Sequence, residues 1–190
     1  DYYFNATLIG TVPPGWAARV VAAEHASESN ENGRLEVEFT PMTKYPSGRH
    51  EKLILVLEGV PLSKIFSVAG FTDTSKTHLE AVLVDPKNIN TPEDVAMPVS
   101  LDGSGFCSMN RRVRRGESTR KVHVNTYTGK NRDAQDSKVR VYTAGGFTMA
   151  CNIIYAADPE TFDEPGNQER IGAIVKSLNV VIDSPVMMVR

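Results

Sequence analysis

The chain is poor in most of the features that would place it in a class at once. Its 190 residues hold only two cysteines, Cys107 and Cys151. One disulfide can be drawn from them, but not the multi-bridge framework of a small secreted domain. Cys151 lies inside the apolar run FTMACNIIY and reads as a free buried thiol. No apolar stretch approaches the ~20 residues that a helix needs to span a bilayer, so no transmembrane segment is expected. No Walker loop and no G-x-G-x-x-G occurs, and Gly103-Ser104-Gly105 is too short to cradle a pyrophosphate. The histidines His25, His50, His78 and His123 include no i, i+4 pair, and none has zinc-finger spacing to a cysteine. A G-x-S-x-G elbow is missing. DPETFDEP, Asp158 to Pro165, lacks the order of an EF-hand and reads as a solvated acidic loop. These absences lead to an expectation of no enzyme, no cofactor and no metal. The chain opens on Asp1 rather than Met, so a preceding segment is expected to have been left out.

What the sequence does hold is mostly strand signal. RLEVEFT places Leu35, Val37 and Phe39 on one face and Glu36 and Glu38 on the other, the period of a half-buried strand. KLILVLE (Lys52 to Glu58) is almost continuously apolar and belongs at the centre of a sheet, covered on both faces. YYFNATLI, HLEAVLV, KVHVNTY, KVRVYT, FTMACNIIY and LNVVID complete the strand candidates, with Pro86 expected to end HLEAVLV. Gly145-Gly146 marks a hairpin between KVRVYT and FTMAC. WAARVVAAEHA is ambiguous, because alanine favours helix while the preceding Pro-Gly turn could introduce a strand.

Helices are expected in the connections. One opens at Pro61 and stops at Gly70, and a single capped turn begins at Thr91-Pro92-Glu93-Asp94. A third follows Pro165-Gly166 with Ile171, Ile174, Val175 and Leu178 on one stripe. Many short strands with turn residues between them, and no βαβ alternation, predict a mainly β fold, an antiparallel β-sandwich with two or three short helices. A jelly-roll variant fits the same pattern. The chain reads as a single domain over 1–190, with a C-terminal helix–strand element at about 167–190. The apolar tail around Pro185 to Val189 is either a last strand or a docking segment for a neighbouring subunit.

Charge is unevenly spread. NRRVRRGESTRK, Asn110 to Lys121, has six basic side chains and one acid. From Arg111 to Arg140 the local charge is +7, leaving −9 for the rest of a chain whose total is −2. Arginine forks suit phosphate, and each neutralised phosphate releases counterions. Arg111, Arg112, Arg114, Arg115, Arg120, Lys121, Lys130 and Arg132 are therefore the candidate contacts for single-stranded nucleic acid or an anionic membrane surface, with Tyr127 as a stacking face. The bland reading is a solvated turn whose arginines pair with acidic loops elsewhere.

HLEAVLVDPKN is similar to the apolar strand ending in Asp that marks the thirty-kilodalton superfamily of plant-virus movement proteins, which are thought to share a jelly-roll ancestry with viral coat proteins. On that match the characteristic acid is Asp85, with Lys87 in place of the more usual Arg, and VHVNTYTGKNRDA supplies Asn125, Tyr127 and Asp133. FTMACNIIYAADPETFDEP also resembles a late strand and acidic turn of negative-strand virus matrix proteins. The resemblance implies a non-enzymatic viral structural protein of coat, matrix or movement class. Such a protein would self-associate as a homo-oligomer, be intracellular (host cytoplasm or virion), and give Asp85 a structural role at a strand end. The alternatives are a cellular β-sandwich binding module for a protein or small ligand, and then a hydrolase with a site assembled from distant segments.

Overall fold

Alternation along the strands builds one large sheet and gives it two apolar faces. The computed structural model describes residues 2–3, 6–9, 12–24, 34–59, 78–89, 93–99, 118–145, 149–177, 179–182 and 186–187. In chain order the elements are β1 (Tyr2–Tyr3), β2 (Ala6–Ile9), β3 (Trp16–Glu24), β4 (Arg34–Pro41), β5 (Glu51–Gly59) and the helical residues 78–82 (α1). β6 (Val84–Asn88), β7 (Glu93–Val99), β8 (Ser118–Lys130), β9 (Asp136–Gly145) and β10 (Met149–Ala157) follow. The chain ends with α2 (Pro159–Phe162), α3 (Asn167–Ser177), β11 (Asn179–Ile182) and β12 (Val186–Met187). The main sheet is antiparallel and eight-stranded, in the order β3-β4-β5-β10-β9-β8-β6, with β7 also on β8. Two meanders, β3-β4-β5 and β10-β9-β8, thus lie side by side and join through β5 and β10. The mainly β, antiparallel, layered fold expected from the sequence is what forms.

β5 sits centrally, as its apolar run requires. Leu53, Leu55 and Leu57 join Val37, Phe39, Ile153, Tyr155 and Val124 on one face. Phe162 of α2 and Ile171 and Val175 of α3 cover that face. Ile54 and Val56 point the other way with Val139, Val141, Ile154 and Ala156, under Leu79, Val82 and Leu83. Cys151 is buried on the first face. Cys107 lies outside the described residues. α3 follows Pro165-Gly166 as expected and buries Ile171 and Val175, with Ile174 packed against them; Leu178 lies outside the described residues.

One ambiguity is resolved and four local expectations are corrected. WAARVVAAE is strand β3, because pairing with β4 outweighs the helix propensity of its alanines. HLEAVLV is not a strand: residues 78–82 are helical, and the Leu83 N–H donates to the Leu79 carbonyl at 2.8 Å. Leu79, Val82 and Leu83 fit an i, i+3, i+4 stripe at least as well as a period of two. Strand β6 begins where Pro86 was expected to end one. The proline sits in a bulge between Val84, opposite Lys130, and Lys87, opposite Thr128, where no ladder amide is needed. Of the turn expected at Thr91 to Asp94, Glu93 and Asp94 are strand, in β7 opposite Val124 and His123, and Thr91 and Pro92 lie outside the described residues. DPETFDEP contains α2, with Asp158 as its N-cap. The helix expected from Pro61 lies outside the described residues.

The two ends of the chain pair with each other. β2 runs antiparallel to β11, Ile9 opposite Asn179 and Ala6 opposite Ile182. β1 runs antiparallel to β12, Tyr2 opposite Met187. β12 is therefore a strand paired within its own chain. Among the described residues no helix is long and apolar enough to cross a membrane.

Candidate functional site

The basic residues do not form one described patch. Arg111, Arg112, Arg114 and Arg115 lie outside the described residues. Arg120 and Lys121 stand near the start of β8, opposite Met97 and Ala96. Lys130 ends that strand, and Arg132 lies exposed in the following turn. With ~3.3 Å per residue, Lys121 and Lys130 are on the order of 30 Å apart along β8. Lys130 pairs with Asp136 at 2.8 Å. The turn is fastened by Asn131, whose Oδ1 accepts the amides of Asp133 (3.0 Å) and Gln135 (2.9 Å). Tyr127 packs half-buried against the second apolar cluster, and burial pushes its phenol pKa up. Asp85 is exposed in the β6 bulge with φ +47°, a left-handed position that Asp tolerates better than most residues.

A dense ionisable cluster lies on the central strands of the main sheet, around Glu51. That side chain is fully buried, at 0% exposure. Its Oε1 accepts the Tyr155 hydroxyl at 2.6 Å and the Arg170 guanidinium, and its Oε2 accepts the Tyr45 hydroxyl at 2.5 Å. The Asn167 Nδ2 donates to the Tyr155 oxygen at 2.9 Å, and Arg170 donates to the Asn167 Oδ1 at 2.6 Å. Arg170 also lies over the Trp16 ring, 5.9 Å from its centroid. Burial and the carboxylate of Glu51 push Tyr45 up to about 12, and the same causes raise Tyr155. One carboxylate thus joins β5, β10, the first turn of α3 and the loop that carries Tyr45. Each of its oxygens is engaged, and no reactive group is left pointing outward.

A Ser/His/Asp trio lies next to it. The His50 Nε2 is 3.2 Å from the Ser137 Oγ, and the His50 backbone N–H donates to the Asp158 Oδ2 at 3.0 Å. Asp158 meets the histidine backbone and not the Nδ1, and it accepts the Thr161 amide (3.0 Å) and hydroxyl (2.7 Å) at the start of α2. Burial pushes its carboxyl up, but those amides and that hydroxyl outweigh burial and hold it below the usual carboxylate range. Ser137 is 1% exposed and donates to the Ala157 carbonyl at 3.2 Å. This is a strut between β5, β9 and β10. Among the described residues no group of three or more His, Cys, Asp or Glu side chains could hold a metal ion.

The open edge of the main sheet is different. β3 is terminal, and among the described residues only β4 pairs with it. It is exposed along nearly its whole length, with Val20 61% and Val21 46% accessible. Met42, just past the end of β4, is 71% exposed. Four alanines, Ala17, Ala18, Ala22 and Ala23, leave the backbone uncovered by bulky side chains. Arg19, paired with Glu38 at 3.2 Å, and Glu24 at the strand end are its charged residues. Nothing in the sequence reading marked this segment as a site. Its signal was an alanine-rich stretch after a Pro-Gly turn that fits helix and strand alike.

No protein-family model matches the chain, and no curated protein matches it. Among solved structures, the crystal structure of LpqN, involved in cell envelope biogenesis of Mycobacterium tuberculosis, resembles it with a TM-score of 0.46 at 11% sequence identity. That likeness spans 95% of this chain and 86% of the other.

Proposed function

We propose that the protein is a non-enzymatic binding module that takes an extended segment of a partner protein onto the open edge of β3. The observation behind this reading is that, among the described residues, β3 pairs with β4 alone, combined with its small side chains and the exposed Val20 and Val21. An edge strand presents a row of backbone donors and acceptors that an incoming strand satisfies, the chemistry of strand addition. The polar cluster around Glu51 holds the fold and offers no free group for chemistry. The anion-binding reading draws less support, because Lys130 is ion-paired and stands far from Arg120 and Lys121.

Amide hydrogen exchange on the whole chain tests the proposal, with a mixed-sequence library of short extended peptides as the probe. Slowed exchange at the Ala18 and Val20 amides is the expected result. If those amides do not respond, while a single-stranded oligonucleotide binds with an affinity that falls steeply with salt, the function returns to the anion-binding class.

A further inference from the structure

The pairing of β3 with β4 fixes which backbone groups face outward. Trp16 stands opposite Pro41, so Gly15 stands opposite Met42, and the Met42 N–H donates to the Gly15 carbonyl at 2.8 Å. Hydrogen-bonded and non-hydrogen-bonded pairs alternate along an antiparallel ladder. Ala17 and Arg19 therefore bond towards β4, while Trp16, Ala18 and Val20 direct their amides and carbonyls to the open side. The turn before β3 agrees, because the Trp16 N–H is taken by the Pro13 carbonyl at 3.0 Å. Among the described residues, the groups left for a partner are the Trp16 carbonyl and both backbone groups of Ala18 and Val20. The register breaks between Val20 and Ala22, which ends the regular acceptor at Val20.

Side chains set what fits beside those groups. A residue opposite Ala18 would share its face with Trp16, Val20 and the buried Phe39, and the alanine methyl leaves a step there. A bulky apolar side chain would fill that step and cover Val20. Arg19 is on the other face, 72% exposed, with one nitrogen on Glu38. Its guanidinium has donors to spare for a second carboxylate.

Resting on the binding reading above, we infer that the segment accepted at Trp16–Val20 is antiparallel, with free amides at alternate positions, a bulky apolar residue opposite Ala18 and a carboxylate opposite Arg19. A short blocked peptide alternating valine and threonine, with one central threonine replaced by glutamate, is the probe, titrated against the whole chain. Replacing its glutamate by lysine weakens binding by about threefold to thirtyfold, the range of a cross-strand charge reversal. N-methylation of a valine, whose amide must reach Ala18 or Val20, weakens it by about tenfold or more, while N-methylation of a threonine is tolerated. In the Arg19→Glu variant the preference inverts towards the lysine peptide. Binding that ignores the peptide charge and the position of the N-methyl group overturns this specificity and leaves strand addition standing. The absence of protection at Ala18 and Val20 with any peptide overturns strand addition itself. Self-association of the free protein that the glutamate peptide cannot displace makes a second copy the occupant and also overturns the inference.

Discussion

Glu51 and Arg170 share one ion pair but not one environment. The carboxylate is fully buried, while the guanidinium side chain is 42% exposed. Removing the arginine strands a charge that water cannot reach, whereas removing the acid leaves a cation that can turn outward. Arg170→Leu is therefore expected to cost about 3–5 kcal/mol, the range for a buried charge left alone. Glu51→Gln should cost less, about 1–2 kcal/mol, because the amide keeps part of the hydrogen bonding. Denaturant melts of the two variants check the order, and equal losses would contradict it. None of this was legible in the sequence, where Glu51 is an unremarked charge before KLILVLE. Its partners lie at positions 45, 155 and 170, and no local pattern announces that they meet.

At the scale of elements, the sequence was readable where period and burial agree. β4 and β5 follow from their patterns because one face, or both, had to be buried. β3 and α1 did not, because alanine-rich and short apolar stretches satisfy two periods and only pairing decides between them. The β6 bulge shows what such pairing demands. A Cβ at Gly129 would lie 2.9 Å from the Val84 carbonyl, so Gly129→Ala should destabilise by about 1–3 kcal/mol as an overpacked contact. In the same bulge, the positive φ of Asp85 gives it a backbone role. Asp85→Gly should hold or raise the unfolding midpoint, and Asp85→Val should lower stability by about 1–2 kcal/mol, the cost of the left-handed region. A loss in Asp85→Gly as large as in Asp85→Val would instead assign the role to the carboxylate, as the movement-protein resemblance implies.

For the whole molecule, the shifted groups set the ends of the pH range. Glu58 is held below its ordinary value of 4.5 chiefly by its hydrogen bond to His78, and Asp158 lies below its own 3.8. Both bind protons more weakly when folded, so their contribution is present above those ordinary values and disappears as pH falls through the lowered ones. Tyr45 works in the opposite direction. Its contribution is complete below its ordinary 10.0 and is lost as pH rises towards about 12. Unfolding free energy against pH should therefore be flat through neutrality and fall at both extremes. In Tyr45→Phe the alkaline fall should be shallower, because Tyr155 and Tyr127, also raised above 10.0, still contribute to it. Phenolate absorbance on base titration reports when the remaining tyrosines ionise.

The pairing of the two chain ends has a mechanical consequence. Tyr2 meets Met187 at the outer end, and Ile9 meets Asn179 further in. A load applied between the ends would pull on one backbone bond at a time and peel the ribbon open like a zip. The joined strands would yield at low force and lengthen the tether before tension reached the ladders that hold β5 and β10 together.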